Sequence, residues 1–459
     1  MTIRKKNASA KKVPAKKKST TAPAKGNENP IPTNGPQFAQ PVATPDPSVF
    51  SVLHGSDTAA YKILDAEKNK LLPRPFPIAR AVEPVLTLAQ AIGEPAGDSV
   101  SADIQQAGQI VFHVIGDTGN TKGPKDMELV ADKMCADYTD TDLHAVPSFC
   151  YHVGDVVYSF GEPQYYYDQF YDPFRNYPAP IFAIPGNHDG MVAPNTNART
   201  LAAFIDNFCA TGPSHRTPES GELARTAQIQ PSVYFTFEAP FIRIIGLYSN
   251  CLEDPGVIST QNGKYPALTD KQLDFLTAAL TRAKNDNASG ATLIAVHHPP
   301  YTTALKVSGP MSAGRHGGSA EMLKEIDAAC EAAQFWPHAI LSGHAHNYQR
   351  FTRAMKDGSR ETPFLVSGNG GHAVSKLTHK GAPTVRTPFA QPSLSDGTDN
   401  ITLENYDDAD FGYLRVIANA QQLRIEYHPA SDGEDSKTPD DFVTVDIATR
   451  KLVHYQALS

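Results

Sequence analysis

Gln109-Ile110-Val111-Phe112-His113-Val114-Ile115-Gly116-Asp117-Thr118-Gly119 decides the fold. A run of β-branched and aromatic residues, the composition of a strand, ends on a glycine and drops at once into a short polar loop that carries a carboxylate. Four more apolar strands run directly into a short polar loop with a potential metal ligand, three of them through a glycine. Residues 148–153 lead into Gly154-Asp155-Val156-Val157-Tyr158, 181–184 into Gly186-Asn187-His188-Asp189, 292–296 into His297-His298-Pro299-Pro300, and 339–341 into Gly343-His344-Ala345-His346. Two more strands are expected at 233–237 and 242–248. Between the strands lie amphipathic helices: one starts at Thr269, where Thr269 and Gln272 suit a capping box and Leu273, Leu276 and Leu280 share a face; another runs from Ser319 through Leu323 and Ile326. Strands alternating with helices predict a layered α/β domain, and in such sheets sites form at the carboxyl ends of the strands.

The side chains in these loops favour metal. Two carboxylates, an amide oxygen, imidazoles and a phenol suit borderline or hard ions such as iron, zinc or manganese, and no thiolate set for structural zinc is present. Taken singly, each loop has a plainer reading: Gly-Asp after a strand is usually a turn, and His-x-His can be a satisfied core pair. Five in series, each at a strand end, point instead to a metal centre. In two-metal sites the ions sit about 3.5–4 Å apart, so at least one ligand must bridge them, and carboxylate is the natural bridge.

The series GDxG, GDxxY, GNH(D/E), VxxH and GHxH across residues 116–346 resembles the purple acid phosphatases, a branch of the calcineurin-like metallophosphoesterases. Asn347-Tyr348-Gln349-Arg350, the loop Ser367-Gly368-Asn369-Gly370-Gly371-His372 and Phe411-Gly412-Tyr413 are similar to that family as well. The resemblance implies a metallophosphoesterase fold, a central β-sandwich flanked by helices. It also implies two metal ions: Fe3+ held by Asp117, Asp155, Tyr158 and His346, and a divalent ion (Fe2+, Zn2+ or Mn2+) held by Asp155, Asn187, His297 and His344, with Asp155 as the bridge. Where the usual calcineurin-like enzyme has Asp-x-His, this chain has Asp117-Thr118-Gly119, and Tyr158 is the replacement the purple branch uses. Of the adjacent histidines His297 is preferred, since Ile294 then stands at the family's Val; His298 is the alternative.

The implied activity is acid phosphatase-like hydrolysis of phosphate monoesters by a metal-bound hydroxide. His188 would contact the phosphate or protonate the leaving group, Asp189 would fix the tautomer of His188, and His316 is the nearest candidate for a further substrate contact. A phosphodiesterase acting on nucleotides or phospholipid headgroups would use the same metals. A reading of another class is a protein that binds nucleic acid or an anionic surface through its basic N-terminal arm. Neither the fibronectin-like sandwich of the plant enzymes nor the signal peptide of secreted members is recognisable in the pattern.

Composition frames these expectations. The chain of 459 residues is 40% apolar and 20% charged, the balance of a water-soluble globular protein, with no run of about 18 apolar residues to span a bilayer. The first 25 residues hold nine Lys or Arg and no acid; setting these aside leaves about −17 of the formal −8 total on the rest. The body therefore repels nucleic acid, while the arm has the charge for a weak anionic partner. Residues 1–45 read as a disordered basic arm, 46–105 as an extension packed on the main domain with a helix possible at 77–92, and 106–459 as the catalytic domain. Residues 411–427 alternate like exposed edge strands. The five cysteines have no CxxC spacing and read as reduced, mostly buried thiols. Without an apolar leader a cytoplasmic location is expected.

Overall fold

The period-2 alternation of Gln109–Ile115 sends Ile110, Phe112 and Val114 to one face, where they meet a second sheet, and Ile115 to the other, where it meets helices. Ile244 and Ile245 divide in the same way, as do Leu293 and Ile294. Strands buried on both faces read as near-continuous apolar runs because each face has its own partner. The result is a two-sheet sandwich with helices outside, a mixed α/β architecture. A computed structural model describes residues 72–140, 142–192, 198–286, 289–303, 316–377, 385–430 and 438–456. The basic arm 1–45 and residues 46–71 of the expected extension lie outside those residues.

Among the described residues one sheet has nine strands. In spatial order they are Val85–Thr87, Phe235–Ala239, Phe241–Leu247, Gly290–Val296, Ala339–Ser342, Glu361–Ser367, Tyr348–Met355, Asp399–Asp407 and Phe389–Ala390. The other has seven: Lys451–Leu452, Asp441–Asp446, Gln422–Pro429, Gly412–Asn419, Gln109–Ile115, Cys150–His152 and Ile181–Ala183. Register positions the site. Ile115, His152 and Ala183 are aligned in parallel neighbours, so the three loops that follow leave at one level. In the facing sheet Gly290–Val296 and Ala339–Ser342 are likewise parallel, which brings their loops together.

Three local expectations are corrected by tertiary pairing. Of 77–92, only Leu88–Ile92 is helical; Val85–Thr87 pairs in parallel with Phe235–Ala239, and the Pro84 carbonyl accepts the Thr236 N–H at 2.9 Å. The helix Lys271–Asp286 forms as its apolar spacing requires, but Gln272 is no capping partner: its side chain turns inward to bond both the N–H and the C=O of Tyr248 at 2.8 and 2.9 Å. Residues 411–427 are not an edge. Gly412–Asn419 lies between Gln422–Pro429 and Gln109–Ile115 and is buried on both sides. The helix Ala320–Ala333 follows Ser319 and buries Leu323, Ile326 and Cys330. All five cysteines are free, three of them buried. Among the described residues no helix is long and apolar enough to cross a membrane.

Phe112 and Phe149 stack in the inter-sheet core with centroids 4.6 Å apart. Phe112→Ala should cost about 3–5 kcal/mol of stability, as a buried large-to-small change does. A urea unfolding midpoint within error of wild type would contradict this account of the core.

Candidate metal centre

Every loop expected to carry a ligand delivers it to one place. Three of the residues adopt left-handed backbone that side chains rarely take: Asp117 (φ 56°), Asp155 (φ 56°) and His344 (φ 66°). Such conformations persist only where the surroundings over-determine them, and they concentrate at functional sites. Here the restraints are visible. The His344 N–H donates to Asp117 Oδ2 at 2.7 Å, the His188 N–H donates to Asp155 Oδ1 at 2.8 Å, and the Asp117 N–H donates to the Gly154 carbonyl at 2.9 Å. Gly154 takes φ +103°, and a Cβ there would lie 2.6 Å from His297 Nδ1. Only glycine lets that imidazole approach.

The side chains form two groups. In the first, the Tyr158 O–H donates to Asp117 Oδ1 at 2.9 Å and lies 3.3 Å from His346 Nε2, itself 3.5 Å from Asp117 Oδ1. In the second, Asn187 Oδ1 is 3.1 Å from His297 Nε2 and 3.0 Å from His344 Nδ1. Asp155 stands beside both: its Oδ2 lies 3.2 Å from His297 Nε2, and its backbone carbonyl accepts the Thr118 N–H at 3.2 Å, next to Asp117. One ligand atom each from Asp155, His297 and His344 lies within 4.8 Å of the others.

This chemistry fits a cation. His297 Nδ1 sits 2.8 Å from the Val153 carbonyl, which can only accept, so the ring proton is there and Nε2 presents a lone pair to two oxygens. Asp155 Oδ2 is buried without a hydrogen-bond partner, and Asn187 Oδ1 faces the same Nε2. Three acceptors facing one another in a dry site repel unless something positive sits between them. In the metal-free chain a proton fills that role: burial alone would lower the pKa of His297, but Asp155 and Asp117 raise it to about 9. Burial and neighbouring imidazoles hold His344 and His346 well below the usual histidine range, in the neutral form that ligates. Burial, reinforced by Asp117, pushes Tyr158 well up, so its phenol stays protonated unless a cation competes for the oxygen.

The remaining expected residues separate by what they touch. His298 has both ring nitrogens engaged, Nδ1 with Ser249 Oγ at 2.7 Å and Nε2 with the Leu252 carbonyl at 2.8 Å, which leaves His297 as the residue facing the centre. His188 Nδ1 lies 2.8 Å from the Ser159 carbonyl, so Ser159 rather than Asp189 sets its tautomer. Asp189 is occupied differently: its carboxylate accepts the N–H groups of Val156, Val157 and Gly186 at 2.8–3.2 Å and ties two of the loops together. Burial, with the Asp155 charge, raises its pKa to about 7. His316 is at the site, with Nδ1 3.3 Å from His344 Nε2 and its ring 4.8 Å from that of His346. The loops 193–197 and 304–315 lie outside the described residues. Sequence reading assigned no role to His372, which stacks on Tyr158 at 3.6 Å; its signal was its place at the end of the glycine-rich loop that is similar to the family's.

A family profile described as calcineurin-like phosphoesterase matches residues 110–348. Among curated proteins, the chain is 22% identical over 313 residues to one from Arabidopsis thaliana named "Probable inactive purple acid phosphatase 9"; the match covers 63% of this chain and 42% of that protein's length. Among solved structures, it is similar to "GAP50 the anchor in the inner membrane complex of Plasmodium" (TM-score 0.48, 12% identity, 74% of this chain and 89% of that one). It is also similar to PhoD (TM-score 0.43, 11% identity, 77% and 72%).

A Cβ at Gly343 would lie 2.4 Å from Asp117 Oδ2 and 3.3 Å from His297 Nδ1, one residue from each ligand group. Gly343→Ala should therefore weaken metal retention about ten- to hundredfold while the far-UV circular dichroism is kept, the usual scale for disturbing what orients a ligand. Metal retention equal to wild type after chelator challenge would count against the site as drawn.

Proposed function

This chain belongs to the calcineurin-like phosphoesterase family, and on that premise we propose that it is a dinuclear phosphomonoesterase of the purple acid phosphatase type, with residues 106–459 as its catalytic domain. The observation that carries the proposal is the placement of Asp155: its Oδ2 lies 3.2 Å from His297 Nε2 in the group Asn187–His297–His344, while its backbone carbonyl accepts the Thr118 N–H at 3.2 Å, beside Asp117 of the group Asp117–Tyr158–His346. A single ion would leave the other of these two buried groups without a cation. The first group, with two carboxylates and a phenol, suits Fe3+; the second, with an amide and two imidazoles, suits Fe2+, Zn2+ or Mn2+.

Bound there, the ions would neutralise phosphate charge and acidify the attacking water, two requirements of phosphoester hydrolysis near neutral pH. The protein's own groups do the rest. Asp117 and Asp155 are fixed by backbone amides before substrate arrives, so their orientation costs no reorganisation during the reaction. His188, with Nδ1 held by Ser159, can exchange a proton only at Nε2, which makes it the candidate donor to the leaving alkoxide. His316, beside His344 and His346, is the candidate further contact to the substrate. Asp189 serves by holding the Gly154 and Gly186 loops in register. The "inactive" in the Arabidopsis protein's name is said of that protein; here each position carries a residue competent to ligate, which supports an active reading.

Two measurements test this. Elemental analysis of purified protein should give two metal equivalents, one of them iron, and Asp155→Asn should lower both together; an active protein with one equivalent would refute the dinuclear centre. Against a panel of phosphate monoesters and diesters, the wild type should turn over monoesters with the higher kcat/KM, and His188→Ala should lower kcat by about 10²–10⁴-fold. Preference for diesters would redirect the substrate assignment without touching the metals.

A further inference from the structure

Tyr158 is held between two imidazoles. His372 stacks on its ring with centroids 3.6 Å apart and planes 13° from parallel, and the His188 ring lies 4.3 Å away at 37°. Two rings that close cannot share one face of the phenol without overlapping, so they take opposite faces. The stack is anchored by backbone rather than by packing alone. His372 Nδ1 lies 2.7 Å from the Gly119 carbonyl, and the His372 N–H donates to the Asp117 carbonyl at 2.9 Å. The Gly370 N–H donates to the Gly116 carbonyl at 3.1 Å, and Asn120 Nδ2 donates to the Gly371 carbonyl at 2.8 Å. A Cβ at Gly370 would fall 2.3 Å from the Gly116 oxygen, so the glycine-rich run before His372 is what lets this loop lie against the first ligand loop. The ring that covers Tyr158 is thus fixed to the same backbone that carries Asp117.

A phenol has one torsion that swings its oxygen and another that turns its plane, and a hydroxyl bonded to Asp117 at 2.9 Å restrains the first better than the second. Parallel stacking restrains the plane. We infer that His372 is a positioning residue which, by stacking on the face of Tyr158 opposite His188, holds the phenol oxygen in ligating orientation between Asp117 and His346. The inference rests on the reading of Tyr158 as a ligand of ferric iron. It assigns His372 the part of aligning a ligand through its face, in parallel stacking that the tilted His188 ring does not make, rather than through a hydrogen bond to it.

The test compares wild type with His372→Phe, His372→Ala, His372→Asn and Tyr158→Phe, each loaded with ferric iron. Phenylalanine keeps a ring but loses the bond to Gly119; asparagine keeps a donor for Gly119 but has no ring. Two signals are read: the rate at which a chelator strips iron, and the visible band of the oxidised protein. Thermal unfolding of each metal-free variant checks the fold, and asparagine serves if alanine does not fold. His372→Ala and His372→Asn should release iron about ten- to hundredfold faster with a displaced band, while His372→Phe stays near wild type. Alanine and asparagine matching wild type in both signals would overturn the inference. So would phenylalanine failing as badly as alanine, because the effect would then lie in the Gly119 bond. Should Tyr158→Phe itself keep iron and band unchanged, the ligand reading falls and takes this inference with it; loss of iron in Tyr158→Phe with none in His372→Ala sinks the inference alone.

Discussion

Two carboxylates, Asp117 and Asp155, are buried at the end of an apolar sandwich, and among the described residues neither is ion-paired to a lysine or arginine; their charged neighbours are imidazoles. Removing an ionised carboxylate from water costs several kcal/mol even after relaxation, and two close together cost more because they repel. Without a partner each responds differently. Burial and the Asp155 charge push Asp117 well above the ordinary carboxylate range, whereas for Asp155 the opposing pull of His297 and His188 outweighs burial and holds it well below. Much of the local structure serves to keep this pair of carboxylates in a dry site and to surround it with hydrogen-bond donors.

The strain in the loops follows from that requirement. A carboxylate at a strand end in ordinary backbone would continue the pleat; the left-handed turns at Asp117, Asp155 and His344 instead bend each side chain across the strand ends toward the others. Backbone amides from neighbouring loops offset the cost by bonding the carboxylates, and Asp189 does the same for Val156, Val157 and Gly186. The sandwich supplies rigidity. With Phe112, Phe149, Phe182 and Phe237 packed between the sheets, the strand ends offer a fixed frame on which small loops can hold demanding geometry.

Much of this was legible in the sequence where local pattern and local consequence coincide. Gln109–Ile115 was readable to the residue because its alternation and its terminal glycine both mark it. The five loops that meet at the candidate centre were readable because several unusual residue types recur at strand ends. What was not legible depends on partners distant in the chain. Whether Gly412–Asn419 is an edge or an interior strand is decided by Gln109–Ile115, some three hundred residues earlier, and nothing in its own alternation records that. Val85–Thr87 becomes a strand because Phe235–Ala239 offers an open edge. Gln272 looks like a capping residue until the Tyr248 backbone claims it. His372 was legible only as the end of a family-like loop, since its stack on Tyr158 exists only once the loop at Gly370 is laid against Gly116.

The claim on which the account turns is that Asp155 lies between two ions. X-ray diffraction from metal-loaded crystals, recorded on either side of the iron edge and of the edge of the second metal found, addresses it directly. The account predicts two anomalous peaks about 3.5–4 Å apart, flanking the Asp155 carboxylate, with the iron peak on the Tyr158 side. A single peak beside His297 and His344, or two peaks with Asp155 outside both coordination spheres, would contradict it.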